Sequence, residues 1–128
     1  MILYPHFDIN EKGHLTIGGA DAVSLAEQFG TPAYIIDENV VRERCREYLS
    51  AAAKSFGADA LPLYASKALC FTEMYRIANE EGMGIDVVSA GAICTAVSVG
   101  FPMERAYFHS NNKTDADIDY AMENGIGY

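Results

Sequence analysis

The alternation of apolar and polar positions changes period in an orderly way along the chain. Between Phe7 and Ile17, "FDINEKGHLTI" carries two short runs separated by Asn10 to Gly13, which predicts a β-hairpin with its turn there. From Asp21 the period becomes helical. Val23, Leu25, Ala26 and Phe29 fall on one side, Asp21 can cap the first turn and Gly30 is the stop. "TPAYIID" then predicts a strand. Asp37 caps a longer helix with Val41, Cys45, Tyr48, Leu49, Ala52 and Phe56 at helical spacing, ended by Gly57.

After Gly57 a repeat begins. A strand from Leu61 to Lys67 leads to a helix around Thr72 to Asn79, stopped by Gly82. A second strand, Ile85 to Ser89, leads to a helix around Ala92 to Val99, stopped by Gly100. A third, Ala106 to Asn111, leads to a helix after Thr114, with Asp115 and Asp117 in its first turn. Strands and helices alternating at roughly twenty-residue intervals are βαβ units, so the strands should be parallel. "GIGY", residues 125–128, reads as the approach to a fourth strand. Three such units do not close a barrel, which takes eight. The sequence therefore reads as the front of a larger β/α protein; the rival is a small open α/β domain.

One position breaks the apolar logic. Leu61, Leu63 and Ala65 share a strand face, and Lys67 falls in register with them. On the first strand of a parallel barrel that face points inward, and Lys67 comes last, at the C-terminal mouth where such barrels build their sites. There desolvation would lower an amine's pKa and free it to attack a carbonyl. Periodicity alone also suits a lysine that snorkels from a strand end into solvent.

Composition narrows the partners. The 128 residues are half apolar, enough for one domain, and 18 acids against 9 bases give a net charge of −9. That balance argues against nucleic acid or an anionic membrane surface, both of which need basic patches. No run approaches a membrane span, and the N-terminus lacks a secretion signal. Cys45, Cys70 and Cys94 are an odd count without a C-x-x-C pair, which suits reduced thiols packed in the core of a cytoplasmic protein. His6, His14 and His109 do not form a metal-ligand pattern, so no metal is expected. "TIGGAD" lacks the spacing of a nucleotide-binding loop and reads as a turn.

Three segments carry a resemblance, in order. "YASKA" (Tyr64 to Ala68) resembles the Y-A-x-K-A motif of fold-type III pyridoxal-phosphate decarboxylases. "DVVSAGA" (Asp86 to Ala92) is similar to their D-V-V-S-x-G-E segment. "FHSNNKT" (Phe108 to Thr114) is similar to F-H-G-N-N-K-S, which within that superfamily points to the diaminopimelate decarboxylases. The opening "HLTIGGADAVSLAEQFGTPAYIIDENVVRERC" also resembles their N-terminus, so nearly the whole chain is covered.

The resemblance implies an α/β fold. Residues 37–128 would be the first three βα units of a TIM-type (β/α)8 barrel, and residues 1–36 a hairpin, helix and strand belonging with a second, β-rich domain. It implies pyridoxal 5'-phosphate as cofactor, with Lys67 as its covalent attachment point. Asp86 matches an acid close to the cofactor, His109 and Asn111 match positions lining the barrel mouth, and Ala65 matches a small residue below the cofactor. Read without the resemblance, Asp86 also suits a helix or turn cap, His109 and Asn111 a polar strand end, and Ala65 ordinary core. The activity implied is decarboxylation of meso-2,6-diaminopimelate to L-lysine and carbon dioxide by a homodimer. The phosphate loop, the acid facing the pyridine nitrogen and the substrate-binding arginines are expected on later strands, so this chain alone should be inactive. Ala92 stands where the family has glutamate, and Ser110 replaces a glycine. The alternatives are another diamino acid (ornithine, arginine or carboxynorspermidine) and a non-catalytic binding module.

Overall fold

A computed structural model describes residues 4–128, in two compact units that meet between Glu43 and Arg44. Residues 1–3, on which part of the reading against a secretion signal rests, lie outside the described residues.

In the first unit the hairpin forms as its alternation predicts. Strands β1 (Phe7–Ile9) and β2 (Leu15–Ile17) pair antiparallel, with Asp8 opposite Thr16. The Asn10 side chain closes the turn, its Oδ1 accepting from the Lys12 and His14 amides at 3.0 Å each. "TIGGAD" is indeed a turn: Gly18 and Gly19 have φ of 56° and 83° and lead into β3 (Ala20–Asp21), which pairs with β2. That third strand was not legible in the sequence. Helix α1 (Ala22–Phe29) follows, with Asp21 at its N-cap and Gly30 after it. Its apolar side is uncovered within the unit: Val23 and Phe29 are exposed and no residue of α1 is buried.

The strand expected over "TPAYIID" does not form. Apolar residues make a strand only where a neighbouring backbone offers hydrogen bonds. The segment instead leaves Tyr34, Ile35 and Ile36 exposed. Helix α2 (Glu38–Phe56) begins where expected, Asp37 Oδ1 accepting from the Asn39 amide at 2.9 Å. Of its apolar positions only Cys45 is buried, whereas Tyr48 and Phe56 stand in solvent.

In the second unit β4 (Leu63–Ala65), β5 (Gly84–Val87) and β6 (Ala106–Phe108) form a parallel sheet in that order, as the repeat predicts. The register sets Ala65 against Asp86 and Asp86 against Tyr107. One face is dry: Ile85, Val87 and Ala106 are wholly buried. Helices α3 (Thr72–Glu80) and α4 (Ala90–Ser98) supply Tyr75, Ile77, Ile93 and Ala96 to the same core, and Tyr75 meets Phe101 edge to face at 6.5 Å. Burying an isoleucine such as Ile85 contributes about 1.5–3 kcal/mol. Helix α5 (Asp115–Glu123) is closed by a capping box between Thr114 and Asp117. Gly84 is required by space: a Cβ there would lie 2.6 Å from Leu63 Cδ2 and 2.8 Å from the Arg105 carbonyl.

The strands are shorter than the alternation suggests. β4 stops at Ala65, and Ser66–Ala68 turn into one loop of 3₁₀ helix, so Lys67 lies past the strand rather than in it. The turn closes with the Leu69 amide donating to the Ser66 carbonyl and the Tyr64 hydroxyl to the Leu69 carbonyl at 2.9 Å. Cys70 and Cys94 are exposed, contrary to the expected core packing; only Cys45 is buried, and all three are free thiols. "GIGY" runs beside β6, with the Gly127 amide bonded to the Met103 carbonyl and the Phe108 amide to the Tyr128 carbonyl. Tyr128 stacks on Tyr107 at 4.4 Å.

Asp21 fastens the first unit. Its carboxylate accepts from the Val23 and Ser24 amides, from Asn10 Nδ2 at 2.8 Å and from His14 Nδ1 at 3.0 Å. Partial burial pushes its pKa up, but the His14 bond and the bonds from Ser24, Asn10 and Val23 outweigh that and hold it at about 2, below the ordinary 3.8. A depressed folded-state pKa stabilises above the unfolded value, and that contribution is lost as pH falls from about 3.8 through about 2. We expect the Asp21 side-chain carbon to titrate by NMR with a midpoint near 2. Asp21→Asn should make the unit's acid stability flatter over that window; a midpoint near 3.8 would remove Asp21 from this role.

Candidate active site

Alternation around the dry face determines what lies on the other. Ile85 and Val87 point into the helices, so Asp86 between them points the opposite way, with Ala65 beside it in register. Beyond the C-terminal ends of the strands, Lys67, Val88, His109, Ser110, Asn111 and Asn112 line an open recess of about 320 Å³. The structure thus brings Lys67, His109 and Asn111 together around one opening. Asp86 joins them through His109, whose Nδ1 lies 3.9 Å from Asp86 Oδ1, too long for a hydrogen bond.

Lys67 is exposed, and so is His109, with 79% of its side chain in solvent. The dry cavity floor expected around the lysine is therefore not formed by these residues. Asp86 differs: its side chain is only 15% exposed, and Oδ1 is buried without a hydrogen-bond partner among the described residues. Asp86 is not a cap, since Ser89 caps α4 by accepting from the Ala92 amide at 3.2 Å.

A buried carboxylate oxygen left unpaired is costly, and native proteins pair such groups. Here it sits on the side of the sheet where a primary amine and an imidazole also gather. A polar ligand with a reactive carbonyl and a donor group fits that set: the amine can attack the carbonyl and the orphan oxygen can accept a hydrogen bond. Among the described residues no group of three or more His, Cys, Asp or Glu could hold a metal ion, and no helix is long and apolar enough to cross a membrane.

Ser110 and Asn112 also line the recess and were not singled out as site residues from the sequence, although both lie inside the "FHSNNKT" segment. Ser66 was missed altogether. It is wholly buried, and its hydroxyl donates to the Asp86 carbonyl at 2.5 Å. Small polar residues beside a lysine carry no sequence signal for such a bond.

Three parallel βα units with a lysine just past the first strand and a largely buried acid on the second are the arrangement of the opening units of a (β/α) barrel. Residues 40–128 match the pyridoxal-dependent decarboxylase family, in its pyridoxal binding domain, and the chain belongs to that family. The diaminopimelate decarboxylase of Bacillus subtilis is 48% identical over 118 residues, covering 92% of this chain and 27% of that protein. Diaminopimelate decarboxylase from M. jannaschii in complex with L-lysine superposes with a TM-score of 0.82 at 31% identity, over 96% of this chain and 29% of that one. Lysine/ornithine decarboxylase from Vibrio vulnificus complexed with putrescine gives 0.72 at 28% identity, over 81% and 27%. The chain spans little more than a quarter of the length of the curated relatives it matches.

If Asp86 is held for a ligand, removing it should not weaken the chain. We expect Asp86→Ala to leave stability to urea unchanged, or raised by up to about 1 kcal/mol, because an unsatisfied acceptor disappears. A loss of more than about 2 kcal/mol would make Asp86 a structural residue.

Proposed function

We propose that this chain is the lysine-bearing front of a pyridoxal 5'-phosphate-dependent decarboxylase that converts meso-2,6-diaminopimelate to L-lysine and carbon dioxide. The observation that carries the reading is the joint placement of Lys67, His109 and Asn111 on one recess, with the orphaned Asp86 oxygen beside it. The relatives named diaminopimelate decarboxylase support the substrate.

In this reading Lys67 is the catalytic residue whose amine would hold the cofactor covalently. When bound, pyridoxal phosphate supplies a conjugated, protonated ring that accepts the electron pair left by carbon dioxide. Asp86 would offer the group a fixed hydrogen-bond acceptor, and Ala65, opposite it in register, would keep the floor below free of bulk. His109 and Asn111 bound the opening and orient what enters. Covering the recess by further strands of a complete barrel would exclude water and strengthen each of these interactions.

The rest of the proposal extends beyond the described residues. Residues 37–128 form part of the cofactor barrel, and residues 1–36 go with a second, β-rich domain; the uncovered Phe29, Tyr34, Ile35 and Ile36 of the first unit support that need for a covering surface. The acting unit is a homodimer of the complete protein in the cytoplasm, where three free thiols suit a reducing compartment. A second reading changes the substrate to another diamino acid, favoured by Ala92 in place of the family glutamate.

Reduction with borohydride in the presence of pyridoxal phosphate should fix the adduct on Lys67 ahead of Lys12, Lys54 and Lys113, read by peptide mass spectrometry. Grafted in place of the matching segment of the Bacillus subtilis relative, the chain should support meso-diaminopimelate turnover, and Lys67→Ala should lower it by about 10³-fold or more. A graft that turns over ornithine in preference would move the reading to the second substrate class.

A further inference from the structure

Lys67 sits on a single turn of 3₁₀ helix, a weak element that by itself would not hold an amine in one place. Ser66, the residue before it, has no exposure at all. The Ser66 hydroxyl donates to the Asp86 carbonyl at 2.5 Å, tying the turn to the residue on β5 that carries the orphan carboxylate. Tyr75 on α3, also without exposure, has its hydroxyl 3.4 Å from Cys70 Sγ, just past the turn.

The Ser66 proton is committed to the Asp86 carbonyl, so this one bond joins the carrier turn to the sheet. Ser66 points away from the recess, and the residues before and after it, Ala65 and Lys67, serve the side where the recess lies.

We propose that Ser66 is a positioning residue for Lys67. It locks the carrier turn onto β5 at Asp86, so that amine and acid keep a fixed spacing across the recess. The inference rests on Lys67 being the cofactor-bearing lysine. Without the hydroxyl the turn keeps its own bond from the Leu69 amide but loses its anchor to the sheet, and the amine samples more positions.

The test uses the whole chain with pyridoxal phosphate and cyanoborohydride, following the labelling rate of each lysine by peptide mass spectrometry. In the unmodified chain Lys67 should be labelled fastest. Ser66→Ala should slow Lys67 about 3- to 10-fold while Lys12, Lys54 and Lys113 keep their rates, with far-ultraviolet circular dichroism unchanged. Ser66→Cys, nearly the same shape with a weaker donor, should remain slow; recovery in Ser66→Cys would mean that filling the space is what matters, and would overturn the proposal. Lys67 labelled at an unchanged rate in Ser66→Ala overturns it as well. Should Ser66→Ala fail to fold, Ser66→Cys carries the test by itself: a Lys67-specific slowing there supports the proposal while an unchanged rate overturns it. If Lys67 is not favoured even in the unmodified chain, the carrier reading itself falls and takes this inference with it.

Discussion

Everything at the site depends on one face of a three-stranded parallel sheet being dry. Ile85, Val87 and Ala106 have no solvent exposure, and the cores of α3 and α4 are built against them. Because side chains alternate along a strand, burying Ile85 and Val87 commits Asp86 to the opposite face. A slip of one residue in β5 would bury the carboxylate under the helices and turn two large apolar groups toward the recess. The hydrophobic term that stabilises the unit therefore also aims the Asp86 carboxylate, and the two requirements cannot be met separately.

The lysine is placed by a different kind of interaction. Beyond Ala65 the strand ladder ends, and no apolar burial acts on Lys67, which is exposed. Hydrogen bonds take over: Tyr64 to the Leu69 carbonyl, Leu69 to the Ser66 carbonyl, and Ser66 to Asp86. Bonds of this kind contribute about 0.5–1.5 kcal/mol each. That is too little to define a fold but enough to choose among orientations of a short turn.

This division explains what was legible in the sequence. The hairpin, the three βα units and their parallel order follow from periodicity and glycine stops, because those patterns record burial directly. Lys67 is visible as a polar residue in an apolar register, although the turn that carries it has the alternation of a strand. What depends on partners outside a local window was not legible. "TPAYIID" has strand composition yet finds no partner backbone among the described residues, and Cys70 and Cys94 have apolar spacing yet lie in solvent. Ser66 was hidden for the same reason, since its meaning comes from a carbonyl twenty residues away.

The departure at Ala92 can be judged on the same physical terms. Ala92 lies in the first turn of α4, is only 3% exposed, and does not line the recess. A carboxylate at so dry a position needs a cation or several donors to offset its lost hydration, which otherwise costs several kcal/mol. Alanine has no such need, so the change removes a charge from behind the recess and leaves the rim untouched. Ser110, Asn111 and Asn112 still present neutral polar groups at the opening. Of the two departures from the family pattern, Ser110 is therefore the one that borders the recess, while Ala92 is packed away from it.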